Sequence, residues 1–294
     1  MLTAAALLTA DLAPRTDILA PLLASDSAAL VYGPSGIGKS FLALGVAWAV
    51  ASGGSFLGWQ APRRHRVLYV DGELGAAELR ERLALFGAPP EQLVISAPDL
   101  GSGELLDLTE KAGIARLMMA WNDPELVVLD PLSTLAGLGS GDAERWDRLQ
   151  RFLLHQRANR RAVLMVYHVN KDGELHGTSQ RRNALDLMMA LRWPQPALPS
   201  GNARFEIHFE KSRRYRRAPL MPMLAELATD PAGRAAWRWE PAAGSRLERA
   251  AALLNRGLTA CAAAAALGIG RSTLFKLKAE ARARGLLNQT GDDA

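Results

Sequence analysis

The clearest chemistry in this sequence lies in one glycine-rich segment that fits the pattern G-x-x-x-x-G-K-[ST]. In that pattern, backbone amides and the positive end of the following helix surround a phosphate group. Lys39 would reach the β- and γ-phosphates of a nucleoside triphosphate, and the Ser40 hydroxyl would hold Mg²⁺. The segment therefore predicts a site for ATP with Mg²⁺. Its residues, together with the one that follows, are Gly33, Pro34, Ser35, Gly36, Ile37, Gly38, Lys39, Ser40 and Phe41.

Two carboxylates could complete this site. Asp130 follows the apolar run 126–129, and an aspartate at the end of a buried strand beside a phosphate loop would hold Mg²⁺ through water. Pro131, not a glutamate, comes next. Glu73, at the end of another apolar run, is then the carboxylate best placed to polarise the attacking water. Two alternatives stay open: Glu73 caps the next helix, or Asp71 is the base.

His168 is a further candidate, because it ends the apolar run 162–167. A side chain at the carboxyl end of a strand, in the sheet that carries the phosphate loop, points into the ligand crevice. A neutral imidazole there could hydrogen-bond the γ-phosphate and respond to its loss. A purely structural role for this histidine is the alternative.

Alternating strands and helices would position these side chains. Residues 28–32, 66–71, 93–95, 125–130 and 162–168 are predicted strands, and helices are predicted at 41–50, 76–86 and 143–160. This alternation predicts an α/β fold in which helices cover both faces of a mostly parallel sheet. Residues 203–210 and 236–240 alternate with period two, which predicts antiparallel strands at one edge. Residues 1–27 are predicted to form a short helical lead-in with two proline breakers.

The composition allows a full α/β core and a small second domain, since the 294 residues are 49% hydrophobic. The net charge of +5 is concentrated: residues 204–217 hold six basic and two acidic side chains, and residues 245–285 hold eight and two. Concentrated basic segments suggest an anionic partner, first of all nucleic acid, with an ordinary solvated surface as the alternative.

The single Cys261 offers no disulfide or metal framework. The apolar amino terminus lacks a basic region, so we expect no signal peptide, no membrane span and a cytoplasmic location.

The set of motifs resembles the RecA-like ATPases and, more narrowly, the RepA family of hexameric plasmid helicases and its DnaB-like relatives. The resemblance rests on a glutamate after the strand adjacent to the phosphate loop, with none after the Walker B aspartate. It covers about residues 15 to 240, with the motifs in the family's order. The matching segments are 33–40, 56–73, 126–133, 166–168, 177–179 and 191–193.

This resemblance implies a homo-oligomer, a hexameric ring, in which ATP hydrolysis is coupled to DNA. Glu73 would be the catalytic glutamate, and His168 would sense the γ-phosphate and communicate with a DNA-binding loop. The polar segment 169–182 would line the central channel of the ring. There Lys171, Arg181 and Arg182 would contact the phosphates of single-stranded DNA, unless the segment is merely a solvated loop.

Three basic residues are candidates for a finger that completes the active site of a neighbouring subunit. Lys211 and Arg213 follow the predicted strand 203–210, and such a pair acts in trans in the DnaB-like rings that the sequence resembles. Arg192 is the competitor, because the similarity to the RepA family also includes Arg192 and Trp193. A finger that acts in trans requires an oligomer.

The last fifty residues predict a separate, all-α unit. Helices at 246–256 and 259–266, a turn with two glycines and a basic helix at 271–284 give a helix-turn-helix signature. The unit resembles winged or resolvase-type helix-turn-helix tails, and a small oligomerisation cap is the alternative. We expect an ATPase domain at 1–240, a linker at 241–245 and the helix-turn-helix at 246–288. The residues that would face a duplex groove are Arg271, Ser272, Thr273 and Lys276.

The sequence therefore predicts a RecA-like, Mg²⁺-dependent ATPase that couples hydrolysis to DNA translocation or unwinding in plasmid or mobile-element replication. The RepA helicases lack the carboxyl-terminal unit, which could deliver the ATPase to a particular DNA site. Two alternatives stay open. One is a sequence-specific DNA-binding regulator that ATP switches, and the other is a recombination mediator that hydrolyses ATP slowly while filamented on DNA.

Overall fold

A mixed sheet of nine strands forms the centre of the part of the chain that the computed structural model describes. The predicted DNA contacts Lys171, Arg181 and Arg182, and the predicted segment 177–179, lie outside the described residues. The described residues are 2–100, 107–108, 110, 113, 123–137, 143–169, 183–194, 203–213, 220–231, 233–242, 246–255, 257–267, 269–283 and 286–287.

The strands of the described residues are β1 Asp17–Leu19, β2 Leu23–Ala24, β3 Ala28–Gly33, β4 Ser55–Phe56, β5 Trp59–Gln60, β6 Val67–Asp71, β7 Leu93–Ser96, β8 Leu126–Asp130, β9 Ala162–His168, β10 Leu187–Arg192, β11 Arg204–Ser212, β12 Met223–Thr229 and β13 Ala235–Pro241. Nine of them form the central sheet, in the order β13-β12-β11-β10-β3-β9-β8-β6-β7. From β10 to β7 all neighbours are parallel, whereas β11, β12 and β13 add antiparallel strands at one edge. Two small antiparallel hairpins, β1–β2 and β4–β5, form two further sheets of two strands each.

Helices cover both faces of this sheet. The helices of the described residues are α1 Ala4–Thr9, α2 Lys39–Ser52, α3 Ala76–Ala84, α4 Leu132–Leu135, α5 Ala143–Ala158, α6 Arg246–Asn255, α7 Ala260–Ala266 and α8 Arg271–Ala283. Helices α2 and α3 pack in one hydrophobic layer, and α4 and α5 pack in the layer on the other face. The predicted α/β fold with a mostly parallel sheet is therefore confirmed.

The parallel strands are almost completely buried because each is a continuous apolar run. In β8, for example, Leu126 and Val128 face the α2 layer, while Val127 and Leu129 face the α5 layer. Strands covered on both faces read as unbroken hydrophobic runs in the sequence. Their carboxyl ends meet at one edge of the sheet, which places Gly33, Asp71, Asp130 and His168 at neighbouring strand ends.

The predicted helical lead-in at residues 1–27 is wrong for its second half. Only α1 is helical, and residues 17–24 form the β1–β2 hairpin. Ile18, Leu19, Leu22 and Leu23 are all buried in the main core. An extended hairpin can deliver four neighbouring apolar side chains to the core where Pro21 prevents a helix.

The three carboxyl-terminal helices pack against one another around small apolar clusters of their own. Leu274 and Ala281 of α8 are buried, with Ala250 of α6 and Ala263 of α7 completing the clusters. The Thr259 hydroxyl accepts the Ala262 amide at 3.3 Å and so caps α7. The division into an ATPase domain, a linker and a helix-turn-helix stays a prediction. Among the helices described, none combines the length and the apolar character needed to cross a membrane.

Candidate nucleotide-binding site

The glycine-rich loop connects the end of β3 to the start of α2, as the motif requires. Gly36 and Gly38 have φ angles of +74° and +107°, which side chains rarely tolerate. A Cβ atom on Gly38 would lie 2.6 Å from the Cβ of Ala203, and one on Gly33 would lie 2.7 Å from the Leu191 carbonyl oxygen. Strand β10 at Gly33, and the start of β11 at Gly38, therefore leave no room for a larger side chain than that of glycine.

The side chain of Lys39 is buried inside this loop. Its Nζ atom donates to the carbonyl oxygens of Gly33, at 2.9 Å, and Pro34, at 2.7 Å. Burial lowers the pKa of Lys39 to about 8, although Asp130 and Glu73 act in the opposite direction. An ammonium group in this position lies where a phosphate cradled by the loop would need a positive charge.

Asp130 ends β8 beside the loop, and its side chain is almost fully buried. The Tyr69 hydroxyl donates to Asp130 Oδ2 at 2.5 Å. Burial raises the pKa of Asp130, and the nearby hydroxyls of Tyr69 and Ser40 oppose that effect.

A hydroxyl and a carboxylate in contact are a donor set that suits Mg²⁺. This ion is usually held by one or two carboxylates together with substrate phosphates and water. Within the described part of the chain, no group of three or more histidine, cysteine, aspartate or glutamate side chains could hold a metal by itself. Ser40 and Asp130 therefore fit a metal that arrives with a nucleotide.

Glu73 lies in the turn that follows β6, and Asp71 holds that turn in place. Asp71 Oδ1 accepts the amides of Glu73, at 2.8 Å, and Leu74, at 2.5 Å. Burial raises the pKa of Asp71 to about 6, in spite of these two amide bonds. The Ala76 amide at the start of α3 binds Asp99, at 2.8 Å, so Asp99 and not Glu73 caps this helix.

His168 and Glu73 face each other across the site. His168 Nε2 lies 3.6 Å from Glu73 Oε2. Burial, followed by the nearby charge of Lys39, lowers the pKa of His168, so the imidazole is neutral at physiological pH. These two side chains line an open cleft of about 660 Å³ with Ser35, Gly72, Pro98, Ser133 and Thr134.

The three predicted finger residues lie towards opposite ends of the strands β10 and β11. Arg192 ends β10, which runs parallel to β3, so it lies at the same end of the strands as the phosphate loop. Its side chain binds Glu210 at 3.1 Å. Lys211 lies within β11, and Arg213 follows that strand at the opposite end, where its amide donates to the Asp186 carbonyl at 2.9 Å. The Arg213 guanidinium also binds the Asn183 carbonyl at 2.5 Å. Through Met188 of β10, Lys211 lies level with Leu30 of β3, three residues or roughly 10 Å along the strand before Gly33. Arg213 lies further from the loop, roughly 16 Å along the strand direction.

The predicted groove-facing residues lie together in the first turns of α8. Arg271, Ser272, Thr273 and Lys276 are all exposed. Phe275 lies among them and is 57% exposed, although a phenylalanine is usually buried. The structure therefore places these residues on one small helical unit, and their contact with DNA stays a prediction.

Sequence reasoning missed the side chains that support the site. Tyr69, the partner of Asp130, and Asp99, the cap of α3, were not singled out, and neither were Ser133 and Thr134 of the cleft. A signal for Tyr69 exists in the sequence. It lies two positions before Asp71, and alternation along a strand puts both side chains on the same face.

A family model described as an AAA domain, AAA_25, matches residues 1–174, which is more than half of the chain. The chain belongs to the AAA_25 family. Membership agrees with the loop, the Asp130 site and the fold described above, and it supports a nucleotide-dependent ATPase activity. The AAA_25 match spans every residue of the candidate site from Gly33 to His168.

Two curated relatives of this AAA_25 protein carry the name DNA repair protein RadA. The chain is 28% identical to RadA of Brucella abortus over 157 residues, which are 51% of this chain and 30% of that RadA. It is 27% identical to RadA of Mycobacterium tuberculosis over 169 residues, which are 55% of this chain and 31% of that RadA. The chain thus spans about a third of the length of these relatives.

Two solved structures share the fold of this AAA_25 protein. The flagellar accessory protein FlaH from Methanocaldococcus jannaschii matches with a TM-score of 0.50 and 13% identity, covering 73% of this chain and 90% of FlaH. A KaiC-like protein from Pyrococcus horikoshii matches with a TM-score of 0.50 and 16% identity, covering 74% and 93%. At these identities the likeness concerns the fold alone, and it agrees with the RecA-like architecture expected from the sequence.

Proposed function

We propose that this AAA_25 protein is a Mg²⁺-dependent ATPase of the RecA/RepA helicase type, which uses ATP hydrolysis to move along or unwind DNA. The observation that carries the proposal is the meeting of four groups at one edge of the sheet. They are the glycine-rich loop with Lys39, the Ser40–Asp130 pair, Glu73 and His168.

In the proposed mechanism, each of these groups has a separate task. Lys39 and the amides of the loop bind the β- and γ-phosphates. Ser40 and Asp130 would hold Mg²⁺, and the ion would supply positive charge next to the phosphates. Glu73 accepts a hydrogen bond from the attacking water and aligns it with the γ-phosphate. The cleft beside Glu73 is open, so water and phosphate can enter and leave there.

His168 is proposed to report the state of the nucleotide. It is within 3.6 Å of Glu73 and ends the strand that leads directly to segment 169–182. A neutral imidazole can donate to the γ-phosphate or turn to Glu73 when that phosphate leaves. We propose that this exchange is transmitted to Lys171, Arg181 and Arg182, which bind the backbone of single-stranded DNA.

The proposal of DNA as the partner has two supports. The curated relatives are named as DNA repair proteins, and they match 51% and 55% of this chain. The positive charge of the chain is also concentrated in two segments, 204–217 and 245–285. Such concentrated charge favours binding to phosphate backbones.

An oligomer, a hexameric ring by resemblance, would complete the site. Two positions could supply a basic finger. Arg192 lies at the same end of the strands as the loop, and Lys211 and Arg213 lie towards the other end. Arg213 lies towards the opposite end of the strands from the loop, so we propose that the pair of Lys211 and Arg213 acts on another subunit. Arg192 is placed to act at its own end of the strands or on a neighbour.

A forked DNA substrate tests the proposed motor directly. The wild-type chain should separate the strands in the presence of ATP and Mg²⁺, and it should fail with a non-hydrolysable ATP analogue. Lys39→Ala is the matched control, because it should fail with either nucleotide. Strand separation that is equal with and without hydrolysis would contradict a motor.

The second candidate function is a sequence-specific DNA-binding regulator that is switched by ATP. The exposed face of α8 favours it, since Arg271, Lys276 and Phe275 lie on one small unit with its own apolar clusters. Selection of duplex sequences by the full chain, followed by binding at several salt concentrations, tests this function. Arg271→Ala or Lys276→Ala should each lower the slope of log affinity against log salt concentration by about one, which corresponds to the loss of one phosphate contact. Tight binding to one sequence with slow, DNA-indifferent turnover would favour the regulator over the motor.

A further inference from the structure

A fully buried tyrosine supports the carboxylate of Asp130. Tyr69 has no exposed surface, and its ring belongs to the core layer between the sheet and α2. Tyr69 pairs with Val128 in the β6–β8 ladder, which puts its hydroxyl diagonally across from Asp130. The 2.5 Å hydrogen bond to Asp130 Oδ2 joins two almost completely buried groups.

We infer that Tyr69 is a positioning residue that fixes the carboxylate of Asp130 for Mg²⁺. This inference rests on the proposed function, because it concerns the metal that the ATPase would use. A carboxylate rotates easily about its last side-chain bond, since that torsion has broad minima. A donor held rigidly in the core removes this freedom, and the remaining lone pairs of Asp130 would be available to hold the metal together with Ser40.

The charge of Lys39 makes such a restraint necessary. Lys39 and Asp130 attract each other electrostatically in the structure. If the Asp130 carboxylate turned to Lys39, the ion pair would take the ammonium away from the phosphates and the carboxylate away from the metal. The hydrogen bond from Tyr69 opposes that rotation and so keeps the two charges available for different parts of the nucleotide.

Tyr69→Phe tests this inference because it removes a single oxygen and keeps the ring. The probe is a fluorescent, non-hydrolysable ATP analogue, whose binding is titrated at increasing Mg²⁺ concentrations and also in EDTA. Partners that orient a metal ligand typically contribute 10- to 100-fold to metal affinity. We expect the Mg²⁺ concentration for half-maximal binding to rise about tenfold, while binding in EDTA changes less than about twofold.

Tyr167→Phe is the matched control. It removes a hydroxyl from β9 of the same sheet, and its ring packs in the opposite core layer. Thermal unfolding of each variant separates positioning from packing. An unchanged Mg²⁺ titration for Tyr69→Phe, with or without a lower melting temperature, would overturn the inference. If the wild type binds the analogue equally well with and without Mg²⁺, both the proposed metal-dependent ATPase and this inference would be overturned.

A double-mutant cycle with Asp130→Asn provides a second measurement. If Tyr69 acts through Asp130, adding Tyr69→Phe to Asp130→Asn should change the half-maximal Mg²⁺ concentration less than about twofold. Equal effects of Tyr69→Phe in the two backgrounds would show that Tyr69 acts elsewhere and would contradict the inference.

Discussion

Glu73→Gln separates the binding of ATP from its hydrolysis. The substitution removes the negative charge and keeps the size of the side chain. The turn that carries residue 73 should persist, because Asp71 holds it through backbone amides and not through the Glu73 side chain. The Glu73 side chain is 61% exposed, and its contact with His168 is an exposed pair that contributes less than about 1 kcal/mol. The fold should therefore tolerate the change.

The expected loss of turnover follows from the proposed role of Glu73. A positioned general base contributes about 10²- to 10⁴-fold. Glu73 faces an open cleft where water also solvates the carboxylate, so we expect the lower end, a loss of about 100-fold, or about 2.7 kcal/mol of barrier. Nucleotide affinity should stay within about threefold of the wild type, because Lys39, Ser40 and the loop amides are untouched.

Steady-state hydrolysis of Mg-ATP, together with equilibrium binding of a fluorescent analogue, measures both quantities. Glu78→Gln is the control, since Glu78 lies on the nearby helix α3 and is 52% exposed, with Arg82 as its partner. This control should keep its turnover. Turnover of Glu73→Gln within threefold of the wild type would refute the assignment of Glu73 as the base, and so would an equal loss in the control.

Three further predictions concern the supports of the site and of the fold. Gly38→Ala should abolish tight nucleotide binding in titration experiments, because its φ of +107° and the start of β11 leave no room for a Cβ. Asp71→Ala should lower saturated turnover about 100-fold by releasing the Glu73 turn, whereas Asp71→Asn, which keeps the acceptor oxygen, should restore most of it. Burial raises the pKa of Glu125, but hydrogen bonds, first that from Arg63, outweigh burial and hold it at about 2. By urea unfolding, Glu125→Gln should be about 1–2 kcal/mol less stable at pH 7. This deficit should shrink as the pH falls from about 4.5 to about 2, because Glu125 protonates first in the unfolded chain and only near pH 2 in the folded one.

Much of the site could be predicted because its residues follow strong local signals. The loop from Gly33 to Ser40 has fixed glycine positions, and an apolar run before it and an alanine-rich run after it can hardly form anything but a strand and a helix. Asp130 and His168 each end an unbroken apolar run. The carboxyl ends of parallel strands meet at one edge, so these side chains had to converge.

The strand β12 shows where local signals fail. Met223–Thr229 contains methionine, leucine, alanine and glutamate, which favour helices, and the sequence analysis did not predict a strand there. Its pairing with β11 and β13 buries alternate side chains, and this tertiary gain overrides the local preference. The β1–β2 hairpin within the predicted lead-in is a second case of the same kind.

The partners of charged side chains could not be read from spacing either. The Asp99 carboxylate caps α3 from a loop 23 residues away in the chain, and the Asp186 carboxylate lies 3.6 Å from the Arg213 guanidinium on the neighbouring strand segment. Such contacts depend on the register between strands, which only the folded chain sets. Alternation along β6 puts Tyr69 on the same face as Asp71, but its hydrogen bond to Asp130 depends on β8 lying beside β6.

The most direct test of the central claim is ATP hydrolysis by the wild-type chain, measured with and without single-stranded DNA over a wide range of protein concentration. A DNA-dependent motor with sites shared between subunits predicts strong stimulation by DNA and a specific activity that rises steeply with protein concentration. Slow turnover that responds to neither DNA nor protein concentration would contradict a DNA motor.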